Sequence, residues 1–130
     1  MIEEQIVKGQ IYLGKQGEDR VRTVQIPQAN TWNCIYGEGT FELFHRRSGD
    51  EEPYKVTVDI VNGCGIWTVT MFDTAYAGKG QCELRYICDG NVVKSQICGT
   101  NVIALSDIKS DEDVVKDVED YVGEDRKSVV

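Results

Sequence analysis

Tyr54-Lys55-Val56-Thr57-Val58-Asp59-Ile60 alternates without a slip: Tyr54, Val56, Val58 and Ile60 fall on one side of an extended chain, Lys55, Thr57 and Asp59 on the other. Successive side chains of a strand point to opposite faces, so this stretch reads as a strand with one buried face and one wet face, as in an antiparallel sheet laid over a core. The same parity groups Trp67, Val69 and Met71, then Phe41 with Leu43. It also sets Cys82, Leu84, Tyr86 and Cys88 opposite Glu83 and Arg85. These inward sets are the predicted core.

Seven strand-like runs rich in Val, Ile, Thr, Tyr and Trp cover 5–13, 20–26, 40–47, 54–61, 66–72, 81–88 and 92–105, the last interrupted at Gly99. Asn62-Gly63-Cys64-Gly65 and Asp89-Gly90-Asn91 supply the positive φ angles of tight hairpins. Ser48-Gly49-Asp50-Glu51-Glu52-Pro53 is a polar loop, and Pro53, which cannot donate to a ladder, marks a strand start. Short strands at this spacing, with no helical crossovers between them, predict an all-β, immunoglobulin-like antiparallel β-sandwich over 1–105; a small barrel is the alternative.

The character changes after that. Ser110 precedes Asp111-Glu112-Asp113, and Val114, Val118, Tyr121 and Val122 then recur at helical spacing before Gly123. A short capped C-terminal helix is expected within an acidic segment, 106–130, which holds nine acids against four bases. Its narrow apolar stripe, Val114, Val118, Tyr121 and Val122, is the candidate partner-binding surface.

Length and charge narrow the classes. A chain of 130 residues buries one sizeable core. Its formal charge of -8 repels nucleic acid and anionic lipid. No apolar run approaches the roughly 18 residues of a membrane span, and Met1-Ile2-Glu3-Glu4 lacks the layout of a secretory signal, so a soluble product made in a cytoplasm is expected. Five cysteines at wide spacings, with no Cys-x-x-Cys pair, read as reduced thiols serving as small apolar side chains.

Chemistry finds little purchase. The one histidine, His45, stands beside Arg46 and Arg47 and reads as a surface residue at a strand edge, with no nucleophile motif to accompany it. Asp50-Glu51-Glu52, or Asp59 with Asp73, are acid pairs without a distinguishing context for glycoside hydrolysis, and Asp-x-Asp-x-Asp-Gly calcium spacing is absent. Gly78-Lys79-Gly80 reads as a turn rather than a phosphate loop. No enzyme activity, cofactor or metal is expected. Trp32 and Tyr36 flank Cys34 in a segment without clear strand parity; a lid over the core is preferred to an exposed recognition loop.

The most specific stretch is 65–86, with Trp67-Thr68-Val69-Thr70, then Asp73-Thr74-Ala75-Tyr76-Ala77-Gly78, then Gly80-Gln81-Cys82-Glu83-Leu84-Arg85, followed by a hairpin ending in Val93-Lys94-Ser95. It resembles the second half of immunoglobulin-like domains in bacteriophage virion proteins, of the type found in the amino-terminal domain of baseplate upper proteins and in head-fibre proteins. The resemblance spans about 20–105 and makes Asp73 a turn-capping residue and Gly78 or Gly80 backbone specialists. It implies a virion structural component that docks on capsid, tail or fibre proteins, works as a homo-oligomer with a trimer preferred, and touches neither nucleic acid nor membrane. Antibody domains share Asp-Thr-Ala, but Gly80 stands where their corner tyrosine would be, and no tryptophan follows Cys34 at antibody spacing, so no antibody-type disulfide is inferred. The alternative function is a carbohydrate or host-receptor binding module using Trp32, Tyr36 and Tyr76. Exposure of those rings on one patch would favour it.

Overall fold

The computed structural model of the protein describes residues 2–5 and 10–105. Among these residues nine strands and one helix follow in chain order: β1 (Ile2–Gln5), β2 (Gln10–Lys15), β3 (Arg22–Ile26), α1 (Gln28–Tyr36), β4 (Thr40–Arg46), β5 (Tyr54–Val56), β6 (Asp59–Val61), β7 (Cys64–Thr68), β8 (Gly78–Cys88) and β9 (Asn91–Ile103). They form two sheets, one ordered β1-β3-β7-β6 and the other β2-β9-β8-β4-β5. Their facing sides close on Ile11, Leu13, Val24, Ile26, Leu43, Val56, Trp67, Val69, Leu84, Tyr86 and Val102, all buried in one apolar cluster.

Both sheets are mixed rather than antiparallel. β1 pairs with β3 in parallel and β2 pairs with β9 in parallel, while every other pairing is antiparallel. The expected strand at 5–13 is in fact two short pieces, each added in parallel to the edge of a different sheet. Hydrophobic alternation carries no information about strand direction, which is why the sequence pattern could not separate these cases.

The alternating run 54–61 is also two strands. Tyr54, Lys55 and Val56 pair with β4, and three residues later Asp59, Ile60 and Val61 pair with β7 in the opposite sheet. The crossing turns Ile60 outward, 56% exposed, although its parity matches that of buried Val56. Met71 leaves the predicted core for the same kind of reason: β7 ends at Thr68, and Met71 lies in the turn beyond it, exposed. Tyr54, Val58, Phe41 and Cys88 are half-buried against the cluster. β9 runs unbroken through Gly99, which pairs with both Gln81 and Gln10.

The two hairpins turn as their residues dictate. Asn62 and Gly63 have φ of 53° and 82°, and Asp89 and Gly90 have φ of 52° and 80°, the double positive φ whose twist matches that of the flanking strands.

The one helix among the described residues lies in the first half of the chain. Pro27 at its N-cap has φ of -66°, close to helical already, and Gly37, with φ of 89°, ends it while donating its N–H to the Asn33 carbonyl. Ala29 and Trp32, one turn apart, are its only buried residues, so α1 rests on packing against the sandwich rather than on intrinsic propensity. The expected C-terminal helix, with Val114, Val118, Tyr121 and Val122, lies outside the described residues.

Candidate functional site

Beyond β7 the chain folds into a corner, and Asp73 organises it. One carboxylate oxygen, Oδ2, accepts the Thr70 backbone N–H at 2.8 Å, the Thr70 hydroxyl at 3.1 Å and the Trp67 indole N–H at 3.3 Å. The other, Oδ1, accepts the Tyr54 hydroxyl. Asp73 is 4% exposed. Burial works against its charge, but the donors around it, with His45 3.9 Å away, outweigh that cost and hold its carboxyl below the ordinary value. Tyr54 is pushed far above the usual tyrosine range, first by burial and then by its bond to Asp73, so its hydroxyl keeps its proton.

These constraints fix the direction of a longer chain. An ionised carboxylate only accepts, so the Tyr54 proton points to Asp73 and the Tyr54 oxygen accepts the N–H of His45 Nδ1 at 2.7 Å. In the neutral imidazole Nε2 is then bare and accepts the Thr100 hydroxyl at 3.1 Å. The relay Thr100, His45, Tyr54, Asp73 thus ties β9, β4, β5 and the corner together with every group satisfied in one tautomer. Trp67 adds an edge-on contact to the His45 ring, centroids 5.3 Å apart.

The sequence expectation of a surface histidine is therefore overturned: His45 is 1% exposed. A signal was present, since 41, 43 and 45 share the inward parity of β4, but the flanking Arg46 and Arg47 masked it.

The corner also clasps the loop between β2 and β3. The buried Thr74 donates its hydroxyl to the Glu18 carbonyl at 2.8 Å, Gly17 donates its N–H to the Thr74 carbonyl, and Met71 donates its N–H to the Asp19 carboxylate. On the other flank Arg47 forms a two-pronged pair with Asp50, with Nε to Oδ2 at 2.7 Å and Nη2 to Oδ1 at 3.0 Å, and donates to the Phe72 carbonyl at 3.0 Å. Its guanidinium lies 4.1 Å from the Phe72 ring centre and 4.6 Å from that of Tyr76. The hydrogen bond to Arg47 lowers the Asp50 carboxyl and raises the Arg47 guanidinium. Gly78, with φ of 120°, fits a conformation that side chains avoid, whereas Gly80 is needed for room: a Cβ there would run into the Arg46 carbonyl.

An open cleft of about 530 Å³ adjoins the relay, lined among others by Arg20, Tyr54, Thr57, Asp59, Thr70 and Asp73. Two of its polar groups are committed, since Tyr54 and Asp73 bond to each other. Among the described residues no group of three or more His, Cys, Asp or Glu is placed to hold a metal ion.

The aromatic residues proposed for ligand binding are not gathered. Trp32 is buried, its ring against Phe41 and Tyr86. Tyr36, 40% exposed, faces Tyr86 near the start of β4. Tyr76, 50% exposed, stacks on Arg47 just past the end of β4. With β4 between them, Tyr36 and Tyr76 stand roughly 20 Å apart at the rise of a strand. Val114, Val118, Tyr121 and Val122 lie outside the described residues.

No protein-family model matches the chain, and no curated protein matches it.

Proposed function

We propose that this chain is a non-enzymatic structural component of a bacteriophage particle, an immunoglobulin-like module that docks on a capsid, tail or fibre scaffold. The observation that carries the non-catalytic half of this reading is the closed relay. The chain's one histidine has both ring nitrogens engaged inside the core, and Asp73 has both oxygens committed to holding a corner. Polar groups used in this way rigidify a fold and leave nothing free to act on a substrate.

The strand order supports the immunoglobulin-like half. In such sandwiches the first, second, fifth and fourth strands share one sheet while the third, sixth and seventh share the other, widened in variable-type domains by a strand beside the third. The order β1-β3-β7-β6 against β9-β8-β4-β5 follows that scheme strand for strand. Three departures accompany it: β2 added beside β9, the parallel pairing of β1 with β3, and α1 inserted between β3 and β4. The phage assignment rests on the resemblance of 65–86, whose strand, capped corner and strand are β7, the Asp73 turn and β8.

For docking, the molecule offers Ile35 and Tyr36 on α1 and Ile60 and Val61 on the edge strand β6, all exposed. Ile60 shares a hollow with Asn30 and Asn33 of α1, so the two elements adjoin. The acidic segment 106–130 supplies the second contact, through its apolar stripe. Peptide mass spectrometry of particles purified from a lysate of the encoding phage tests the reading. The chain should be present at a constant ratio to the major capsid or tail protein through a density gradient and a high-salt wash. Its absence from washed particles overturns the assignment.

A further inference from the structure

Two of the five thiols stand directly opposite each other. Cys82 on β8 and Cys98 on β9 are register partners in an antiparallel ladder, each 1% exposed, and both are free. Directly opposed residues of such a ladder have Cα atoms about 4.5–5.5 Å apart, inside the 4.4–6.8 Å that a disulfide spans. Their Cβ atoms, about 4.5–5.5 Å apart in that arrangement, need to close by no more than about 1 Å. Neither thiol has a role in the relay, and β8 and β9 are central strands of the larger sheet.

The geometry points to Cys82 and Cys98 as a latent disulfide, reduced as the chain is made and closed across β8 and β9 by a two-electron oxidant such as hydrogen peroxide. The inference stands on the register alone and does not depend on the assembly role proposed above. The chemistry balances in two steps. The Cys98 thiolate attacks one peroxide oxygen, giving a sulfenic acid and, after protonation, water. The Cys82 thiol sulfur then attacks the sulfenic sulfur, forming the S–S bond while the Cys82 proton and the sulfenic hydroxyl leave as a second water. Both sulfurs are oxidised and the peroxide is fully reduced. The order follows from the surroundings: the Cys82 thiol and the Gln96 amide, 3.4 Å from Cys98 Sγ, hydrogen-bond to Cys98 and favour its thiolate, while Cys82 is held protonated.

The folded full-length protein is treated with hydrogen peroxide, alkylated under denaturing conditions and digested with trypsin. Lys79, Arg85 and Lys94 put Cys82, Cys88 and Cys98 on separate peptides, so the partner of each is read directly. The expected product is a single cross-link between the Cys82 and Cys98 peptides, reversed by dithiothreitol, with Cys34, Cys64 and Cys88 alkylated. The melting temperature of the oxidised protein should lie at least about 5 °C above that of the reduced form. Cys98→Ser should abolish both the link and the shift. Two unlinked, alkylated thiols at 82 and 98 after oxidation, or a link from either to another cysteine, overturn the proposal. The wild-type map decides the question even if a serine variant fails to fold.

Discussion

Replacing Asp73 by alanine and by asparagine should separate two parts of its role. Alanine removes the acceptor of four hydrogen bonds, from Tyr54, Trp67 and the amide and hydroxyl of Thr70. Trp67 is wholly buried, so its orphaned indole N–H costs about 1–3 kcal/mol; Tyr54 is half-buried and its hydroxyl can turn to His45 Nδ1, so it adds less. Thr70 lies in a half-buried turn that water reaches, so its two donors add less. The expected loss is about 2–4 kcal/mol, a large share of the roughly 5–15 kcal/mol that holds a domain together. Asparagine behaves differently because the relay can run backwards. With its carbonyl toward Thr70 and Trp67, its amide donates to the Tyr54 oxygen, Tyr54 donates to Nδ1 of His45, and Nε2–H donates to Thr100. Only the charge-assisted strength is lost, about 1–2 kcal/mol. Urea unfolding followed by tryptophan fluorescence gives the stabilities, and nitrogen NMR of the one imidazole gives the tautomer: Nδ1–H in the wild type, Nε2–H in Asp73→Asn. Equal losses in the two variants, or an Nε2–H imidazole in the wild type, would refute the relay as drawn.

Other outcomes follow from the same geometry. Because the Asp73 carboxyl is depressed in the fold, its stabilisation is complete above its ordinary value of 3.8 and drains away as pH falls through the lower folded value; unfolding titrations of Asp73→Asn should lack that acid limb. Tyr54 is raised, so its contribution is complete below its ordinary value of 10.0 and is lost only at strongly alkaline pH; Tyr54→Phe should flatten the alkaline limb of the same titration. Gly80→Ala should cost about 1–3 kcal/mol in a thermal melt, since its Cβ meets the Arg46 carbonyl with β4 and β8 already paired there. Deleting 107–130 should leave a cooperative domain that has lost at most about 1–2 kcal/mol and no longer enters particles; a truncated chain that melts far lower, or still assembles, argues against that segment as the docking element.

The core was largely readable because period-2 alternation reports which face is dry. Leu43, Val56, Trp67, Val69, Cys82, Leu84 and Tyr86 all carry inward parity and all are buried. The pattern failed where the chain changes sheets, at Thr57-Val58, and where a capped turn ends a strand, before Met71, since parity assumes a continuous strand. α1 is not legible in the sequence because Ala29 and Trp32 are too few for a helical stripe, and Asn30, Thr31 and Asn33 are poor helix formers. The relay was half visible: the capping role expected of Asp73 is met at Thr70, but its link to Tyr54 and His45 spans three separate stretches of chain that only the folded register brings together. The facing of Cys82 and Cys98 is likewise a property of the β8–β9 register, which a hairpin with a shift between Tyr86 and Ile87 does not reveal from residue spacing.

The parallel ladder between β2 and β9 has a consequence for the order in which the molecule can be made. Ile11 finds its partner only at Thr100, and Lys15 only at Ile103, so the larger sheet lacks its last strand until the ribosome has released almost the whole described chain. Until then β2 holds Ile11 and Leu13 without a sheet to join. A pairing this distant in sequence forms later and more slowly than the local β8–β9 hairpin, because the long loop must close first. Nascent chains should therefore depend on a chaperone or on dilution to keep that apolar edge from pairing with a neighbour's.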